Sequence, residues 1–482
     1  MSSPPTSSKV RSSNDEERTG KDFAIDLEAG VPPPIPLSAP VASPLHKFLN
    51  YPFYIQKPKI RSTAWLDGVR GVAALEVYVF HAMGCWANVI AAHGADAQQT
   101  NILALPLIRT FFVSGGAAVA LFFAISGYVL THRSLSNIRG GEPQKVYPSV
   151  WSSMFRRGFR LYLPPVLLTF CEMLSTRFGY MPPLNFEFRP EATFAGQVVD
   201  WIKETNNLVN PLHNFSRAVH GFVTHPKYDS VVWTIPLEFY GSFLCYLLLV
   251  MFARIRSHGV RMALTATVAV YCMAQGSWNF FCFSGGMLMA DFNLSQDADE
   301  IRVPSRRAGV VWTVVFSLAF YAAGLPTMIY PESKSKPMPG FEILRSTTPL
   351  SLNMEDHSRF WWSISGVAIL LSISQLPRLK KVFESTFCQY LGKISFSLYL
   401  VHEFSNILFG LPMKDILIRV VGLSNDDKSS VLYWMMCIVW FVLFTFPVFA
   451  IAAQVEKWVD VPSVKFARWL EGKCLNIYKS VR

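Results

Sequence analysis

Apolar residues in this chain come in long runs separated by short polar and charged stretches, a spacing far longer than that of a soluble amphipathic helix or a half-buried strand. Taking ~20 residues as the length that crosses a bilayer, about ten runs qualify, roughly 66–88, 104–131, 159–177, 234–253, 261–276, 277–291, 308–328, 359–377, 387–410 and 431–453. The fifth and sixth are nearly continuous, and Gln275-Gly276-Ser277 is the candidate turn between them. The pattern predicts an all-α, polytopic membrane helix bundle of about ten transmembrane helices. Residues 1–60 break it. They are rich in Ser and Pro, with Val31-Pro32-Pro33-Pro34 and the mixed-charge run Asn14-Asp15-Glu16-Glu17-Arg18, and read as a disordered tail. No charged start with an apolar stretch and a small-residue cleavage site occurs there, so the first span is expected to act as an uncleaved signal. The expected organisation is a tail at 1–60, a membrane domain at 61–454 containing a long non-cytoplasmic loop at 178–230, and a C-terminal tail at 455–482.

Composition secures the class. Of 482 residues, 51% are hydrophobic and 16% charged, more apolar material than a soluble core of this length uses. The net charge of +11 would suit a nucleic-acid partner if it formed one soluble face, but Lys and Arg sit in short clusters between apolar runs, so no nucleic acid is expected. The clusters fall at alternate connections: Arg133, Arg139, Lys145, Arg156 and Arg157; then Arg254 and Arg256; Arg302, Arg306 and Arg307; Arg378, Lys380 and Lys381. Lys465, Arg468 and Lys473 follow the last run. Positive charge concentrates on the cytoplasmic side, so both termini are expected there. The sequon Asn214-Phe215-Ser216 should then be glycosylated and Asn293-Leu294-Ser295 left bare. The tail and the sequon point to an endomembrane of the ER or Golgi, or to the plasma membrane. The eight cysteines fall mostly in apolar runs without paired ligand spacing, so neither a disulfide framework nor a metal site is expected.

Ionisable side chains inside a span are expensive and are functional candidates by default. The first run, Leu66-Asp67-Gly68-Val69-Arg70 through Phe80-His81-Ala82, holds the best pair. Arg70 and His81 stand eleven positions apart, about three helical turns plus 20°, so both lie on one face about 16 Å apart along the axis. A neutral imidazole is suited to take a proton from a hydroxyl. The same His also fits a plain packing role between helices.

Leu66-Asp67-Gly68-Val69-Arg70-Gly71 followed by Phe80-His81-Ala82 resembles the opening signature of the acyltransferase-3 family of integral-membrane O-acyltransferases, in its eukaryotic, fungal-type form. Four later stretches resemble family motifs in order: Phe122-Phe123-Ala124-Ile125-Ser126-Gly127-Tyr128, Arg156-Arg157-Gly158-Phe159-Arg160, Trp233-Thr234-Ile235-Pro236-Leu237-Glu238-Phe239-Tyr240, and Ile394-Ser395-Phe396-Ser397-Leu398-Tyr399-Leu400-Val401-His402. The resemblance covers about residues 62–454. It implies an enzyme that moves an acyl group, acetyl first among candidates, from acetyl-CoA or another acyl-CoA to a hydroxyl of a glycan or small metabolite, with Arg70 and His81 essential. Glu238 is expected to orient His81. Arg156, Arg157 and Arg160 are expected to hold the phosphates of coenzyme A, although topology alone also explains a basic cluster there. Ser126, Tyr240 and His402 are the acceptor-side candidates; Ser126-Gly127 also reads as close helix packing, because no Gly-x-Ser-x-Gly elbow surrounds it. Glu76, Pro236 and Glu403 depart from the family pattern, and His402-Glu403 does not extend to a His-Glu-x-x-His metal motif. A transporter or flippase for a hydroxylated or acylated small molecule is the rival class, and paired broken helices would favour it.

Overall fold

The computed structural model describes residues 61–95, 100–180, 190–222, 226–297, 305–329 and 338–481; the tail at 1–60 and Arg302 lie outside these. Among the described residues every regular element is helical. Each of the ten apolar runs overlaps a long helix: α1 (Ala64–Gly84), α2 (Gly115–Arg139), α3 (Val146–Arg177), α4 (Thr234–Phe252), α5 (His258–Ala274), α6 (Trp278–Asp297), α7 (Arg306–Ala323), α8 (Ser358–Gln375), α9 (Thr386–Ser405) and α10 (Val431–Val455); the run at 104–131 starts too early, because Ile108–Phe112 form a separate short helix before α2. A π-helical turn at Glu456–Asp460 joins α10 to a final helix, α11 (Val461–Val481).

By length and apolar composition, four helices among the described residues suffice to cross a membrane, or five if α8 and the short helix Pro377–Phe383, bent by 105° at their junction, form one span. The remaining candidates fail that test for physical reasons. α1 carries Asp67, Arg70, Glu76 and His81 within its 21 residues, and α5 has only 17. The expected turn is where the sequence put it: α5 ends at Ala274, α6 starts at Trp278, and Gly276 between them has φ +80°, a left-handed conformation that glycine adopts without strain.

Helix pairs here close by backbone contact. A Cβ on Gly71 would collide with Gly392 in α9, and one on Gly127 with the carbonyl of Phe283 in α6. Gly286 returns the contact, facing the Ala124 carbonyl. Small residues let helices approach this closely, as expected of the Ser126-Gly127 pair. Charge locks one end. Buried Arg261 donates twice to Asp291, at 2.6 Å from both Nε and Nη2, and Arg139 pairs with the same carboxylate at 3.3 Å, bringing the end of α2 and the start of α5 onto α6. This is the basic end of the helix bundle. The Asn214 side chain, by contrast, is 2% exposed and its Nδ2 donates to the Leu208 carbonyl at 3.2 Å, so the fold leaves no room for the glycan expected at that sequon.

Candidate active site

The site is strung along α1 between two polar layers. At the basic end Arg70 is fixed from α9, its Nε donating to Ser395 Oγ at 2.9 Å and its Nη2 to the Gly392 carbonyl at 2.8 Å, with Asp67 at 3.3 Å one turn away. Asp460, in the π turn after α10, is within electrostatic reach of both Arg70 and Arg160. The other arginines already hold protein carboxylates. Arg157 Nη2 donates to Glu238 Oε1 at 2.7 Å and its Nε to Ser242 Oγ at 3.0 Å, while Arg156 Nε pairs with Glu471 of α11 at 3.2 Å.

Three turns along α1 lies the second layer. His81 Nδ1 stands 3.4 Å from Glu403 Oε2, a charge contact rather than a hydrogen bond, since that oxygen is buried without a hydrogen-bond partner, and the His81 ring meets that of His402 edge-on at 4.9 Å between centroids. His402 is 1% exposed, and its Nδ1 lies 2.7 Å from the Tyr399 carbonyl. A carbonyl only accepts, so Nδ1 carries the proton and Nε2 presents a bare lone pair. That Nε2 is buried with no hydrogen-bond partner. The Tyr399 hydroxyl donates to the Val231 carbonyl at 2.7 Å and therefore accepts from Thr234 Oγ1 at 2.8 Å, fastening the start of α4 to α9. Asp229, 0% exposed, accepts the Val231 N–H at 2.9 Å on Oδ1 and leaves Oδ2 without a partner. Burial pushes the Asp229 carboxyl up to about 7; the Val231 N–H and His81 act against the rise and Glu403 adds to it. Glu172 of α3, also buried with both oxygens unpartnered, is within electrostatic reach of Asp229 and Glu403.

The expected residues are thus divided in two. His81 and His402 come together, and Arg70 shares the helix of His81 but serves the other layer. Glu238 takes a different partner from the one expected: it is bound by Arg157 and by Ser126 Oγ at 3.0 Å, and the carboxylate that meets His81 is Glu403. The reason is where each sits on its helix, since Glu238 lies one turn inside α4 facing α3 and α2, whereas Glu403 ends α9 against the His81 end of α1. Tyr240 is directed away, donating to the Pro211 carbonyl. Sequence reasoning passed over Glu172, Asp229 and Glu403 as chemical groups. For Glu172 the signal was present, a lone carboxyl within an apolar run, the same criterion that singled out His81.

A carboxylate on one imidazole nitrogen orients the ring and stabilises the imidazolium that forms when the other nitrogen takes a proton. His81 Nε2 has no hydrogen-bond partner among the described residues, and the His81 side chain keeps 31% of its exposure. One ligand atom from each of His81, His402 and Glu403 also lies within 4.8 Å of the others, a group that can hold a divalent cation.

Residues 63–456 match the family model of the acyltransferase domain. The chain is similar to an O-acetyltransferase of Phomopsis amygdali, 28% identical over 87% of each chain. An acyltransferase of Phoma sp. is 26% identical over 74% of this chain and 86% of its own, and one of Cochliobolus lunatus 25% over 83% and 95%. No solved structure matches. With a polytopic helical fold and a family match over most of its length, the chain belongs to the acyltransferase-3 family and is a membrane acyltransferase.

Proposed function

We propose that the protein transfers an acyl group, acetyl in the first instance, from acyl-coenzyme A to a hydroxyl of a carbohydrate or small-molecule acceptor, with His81 as general base. The observation that carries the reading is the charge contact of His81 Nδ1 with Glu403 at 3.4 Å, beside an Nε2 that has no hydrogen-bond partner among the described residues. The acetyl group is supported by the name of the Phomopsis amygdali relative, an O-acetyltransferase. Donor and acceptor approach from opposite sides. The basic end, with Arg70 and Arg160 around Asp460, faces the cytoplasm under the positive-inside rule and receives the phosphates of the donor. The acceptor enters the other layer, where the hydroxyl gives its proton to His81 Nε2 and its oxygen attacks the thioester carbonyl. Coenzyme A leaves as the thiol after taking the proton back, and no covalent enzyme intermediate is required. The membrane is an endomembrane of the ER or Golgi, or the plasma membrane, a reading that rests on the Ser- and Pro-rich segment at 1–60 now that Asn214 is buried.

The test is acyl transfer by protein purified into nanodiscs, with acetyl-CoA and an extract of candidate acceptors. His81→Ala should bind acetyl-CoA as the wild type does and lose about two to four orders of magnitude in turnover. Near-normal turnover by a well-folded variant would remove His81 from the chemistry. A cation held by His81, His402 and Glu403 would take one imidazole nitrogen of His81 and, with the other either bound or protonated, leave no base. Elemental analysis separates the readings: a stoichiometric metal whose chelation abolishes transfer would replace the base mechanism with a metal one.

A further inference from the structure

Arg359, at the start of α8, has a surrounding that none of the roles above uses. Its guanidinium lies 4.4 Å from the ring centroid of Trp278, 4.8 Å from Trp233 and 5.9 Å from Trp362. Among the described residues it makes no side-chain hydrogen bond or ion pair, and its Nη1 is buried without a partner. Two of the three indoles are pinned through their own N–H groups, Trp278 to the Gly221 carbonyl and Trp362 to the Leu325 carbonyl, each at 2.8 Å. The nearest carboxylates are spent elsewhere: Asp356 accepts from Thr327 Oγ1 at 2.6 Å and from the Met328 N–H at 3.0 Å, and Glu355 pairs with Arg217 at 2.9 Å. Both remain within electrostatic reach without using its donors.

A buried cation with unspent donors is costly, and proteins ordinarily pair it. Cation–π contacts with indole rings leave the N–H groups of a guanidinium unspent, and two such groups are what grips an oxyanion with parallel bonds. The cage also touches the second polar layer. Trp233 precedes Thr234, whose hydroxyl is bonded to Tyr399, and the Tyr399 ring lies 5.9 Å from that of His402, the neighbour of His81. Helix direction sets Arg359 apart from the donor-side arginines: α8 begins at Ser358 and runs to Gln375 before Arg378, Lys380 and Lys381 of the next short helix.

We propose that Arg359, held in the cage of Trp233, Trp278 and Trp362, is the acceptor-recognition residue and binds an oxyanionic group of the acceptor, a carboxylate in the first instance. The inference rests on the acyltransferase reading and narrows its substrate class to hydroxyl compounds that are also acids. The guanidinium fixes the anionic end while the hydroxyl to be acylated reaches His81.

The experiment has two stages. Mass spectrometry of cells making the wild type or His81→Ala identifies the compound that loses an acyl mass; if none does, the proposed His81-dependent transfer falls and this proposal with it. That acceptor is then purified, and transfer from acetyl-CoA is measured in nanodiscs with the acceptor and its neutral ester, for wild type, Arg359→Gln and Arg359→Lys. An acidic acceptor is expected, used by the wild type in preference to the ester. Arg359→Gln should raise the acceptor KM about ten- to a hundredfold, leave the donor KM unchanged and erase the preference for the acid, while Arg359→Lys recovers only part of it. An acceptor whose acidic group is a phosphate rather than a carboxylate, shown by its release with phosphatase, upholds the oxyanion and corrects its type. A neutral acceptor, equal use of acid and ester by the wild type, or an unchanged acceptor KM in folded Arg359→Gln overturns it. If Arg359→Gln fails to give a monodisperse protein, the wild-type comparison of acid and ester and the Arg359→Lys constants still decide.

Discussion

Glu403→Gln separates an orienting carboxylate from a mere packing neighbour. The amide keeps the size of the side chain and can still face His81 Nδ1, but it no longer offers a negative charge to the imidazolium that forms as His81 takes the acceptor proton. At 3.4 Å the charge pair is worth about 5 kcal/mol at an effective dielectric of ~20 and about 1 kcal/mol in bulk water. The side chains keep 31% and 18% of their exposure, so the site lies between these limits. About 3 kcal/mol is a reasonable centre, which is a loss of about a hundredfold in rate. The effect should fall on kcat, because the charge on His81 exists in the transition state and not in the bound ground state. The assay is steady-state release of coenzyme A by purified protein, with the donor constant measured on the same preparation. A folded Glu403→Gln protein within about threefold of wild-type kcat would refute the argument, since no plausible dielectric makes a lost charge at this distance so small.

Other consequences follow from the same structure. Arg160→Lys keeps the charge near Asp460 but not the planar fork, so it should raise the donor KM with little change for the acceptor; an unchanged donor KM removes Arg160 from the phosphate site. Gly127→Ala drives a methyl group into the Phe283 carbonyl, a backbone atom that cannot step aside, and should cost about 1–3 kcal/mol or more, seen as a lowered thermal midpoint in detergent. A midpoint equal to wild type would show that α2 and α6 are not in contact as described. Asp229 titrates near 7 in the folded protein, about three units above its unfolded value, so the folded state binds the proton more tightly between about pH 4 and pH 7 and loses stability as pH rises through that window. Asp229→Asn keeps an acceptor for the Val231 N–H, and its thermal midpoint relative to wild type should climb from about pH 5 to about pH 7 and level off above; a flat difference would place the carboxyl in water.

Much of the fold could be read from the order of residues because it depends on local facts. Apolar run length placed ten of the long helices but not α11, Gly276 marked the turn between α5 and α6, and Gly127 announced a close helix contact that the structure contains. Span number is less legible, since the polar residues that give α1 its chemistry also take it below the apolar composition of a simple span. The site was legible in part. Arg70 and His81 share one helix, so their common face follows from helical periodicity alone. Which carboxylate meets His81 does not. Glu238 and Glu403 both lie in apolar surroundings, and either could have faced the imidazole as far as spacing goes. What decides is the packing of α9 on α1, set by Gly71 against Gly392 and by Arg70 reaching the Gly392 carbonyl and Ser395. Those contacts fix the register at the basic end, and the rigid rise of two paired helices then carries Glu403 to the level of His81 three turns away. Helices apolar on nearly every face show no hydrophobic stripe from which a partner could be read, so the pairing depends on small residues and a few polar bonds between distant parts of the chain. Arg359 was hidden for the same reason. Its cage draws Trp233, Trp278 and Trp362 from three different segments, and only their convergence distinguishes a ligand-seeking guanidinium from one more positive charge at the end of an apolar run.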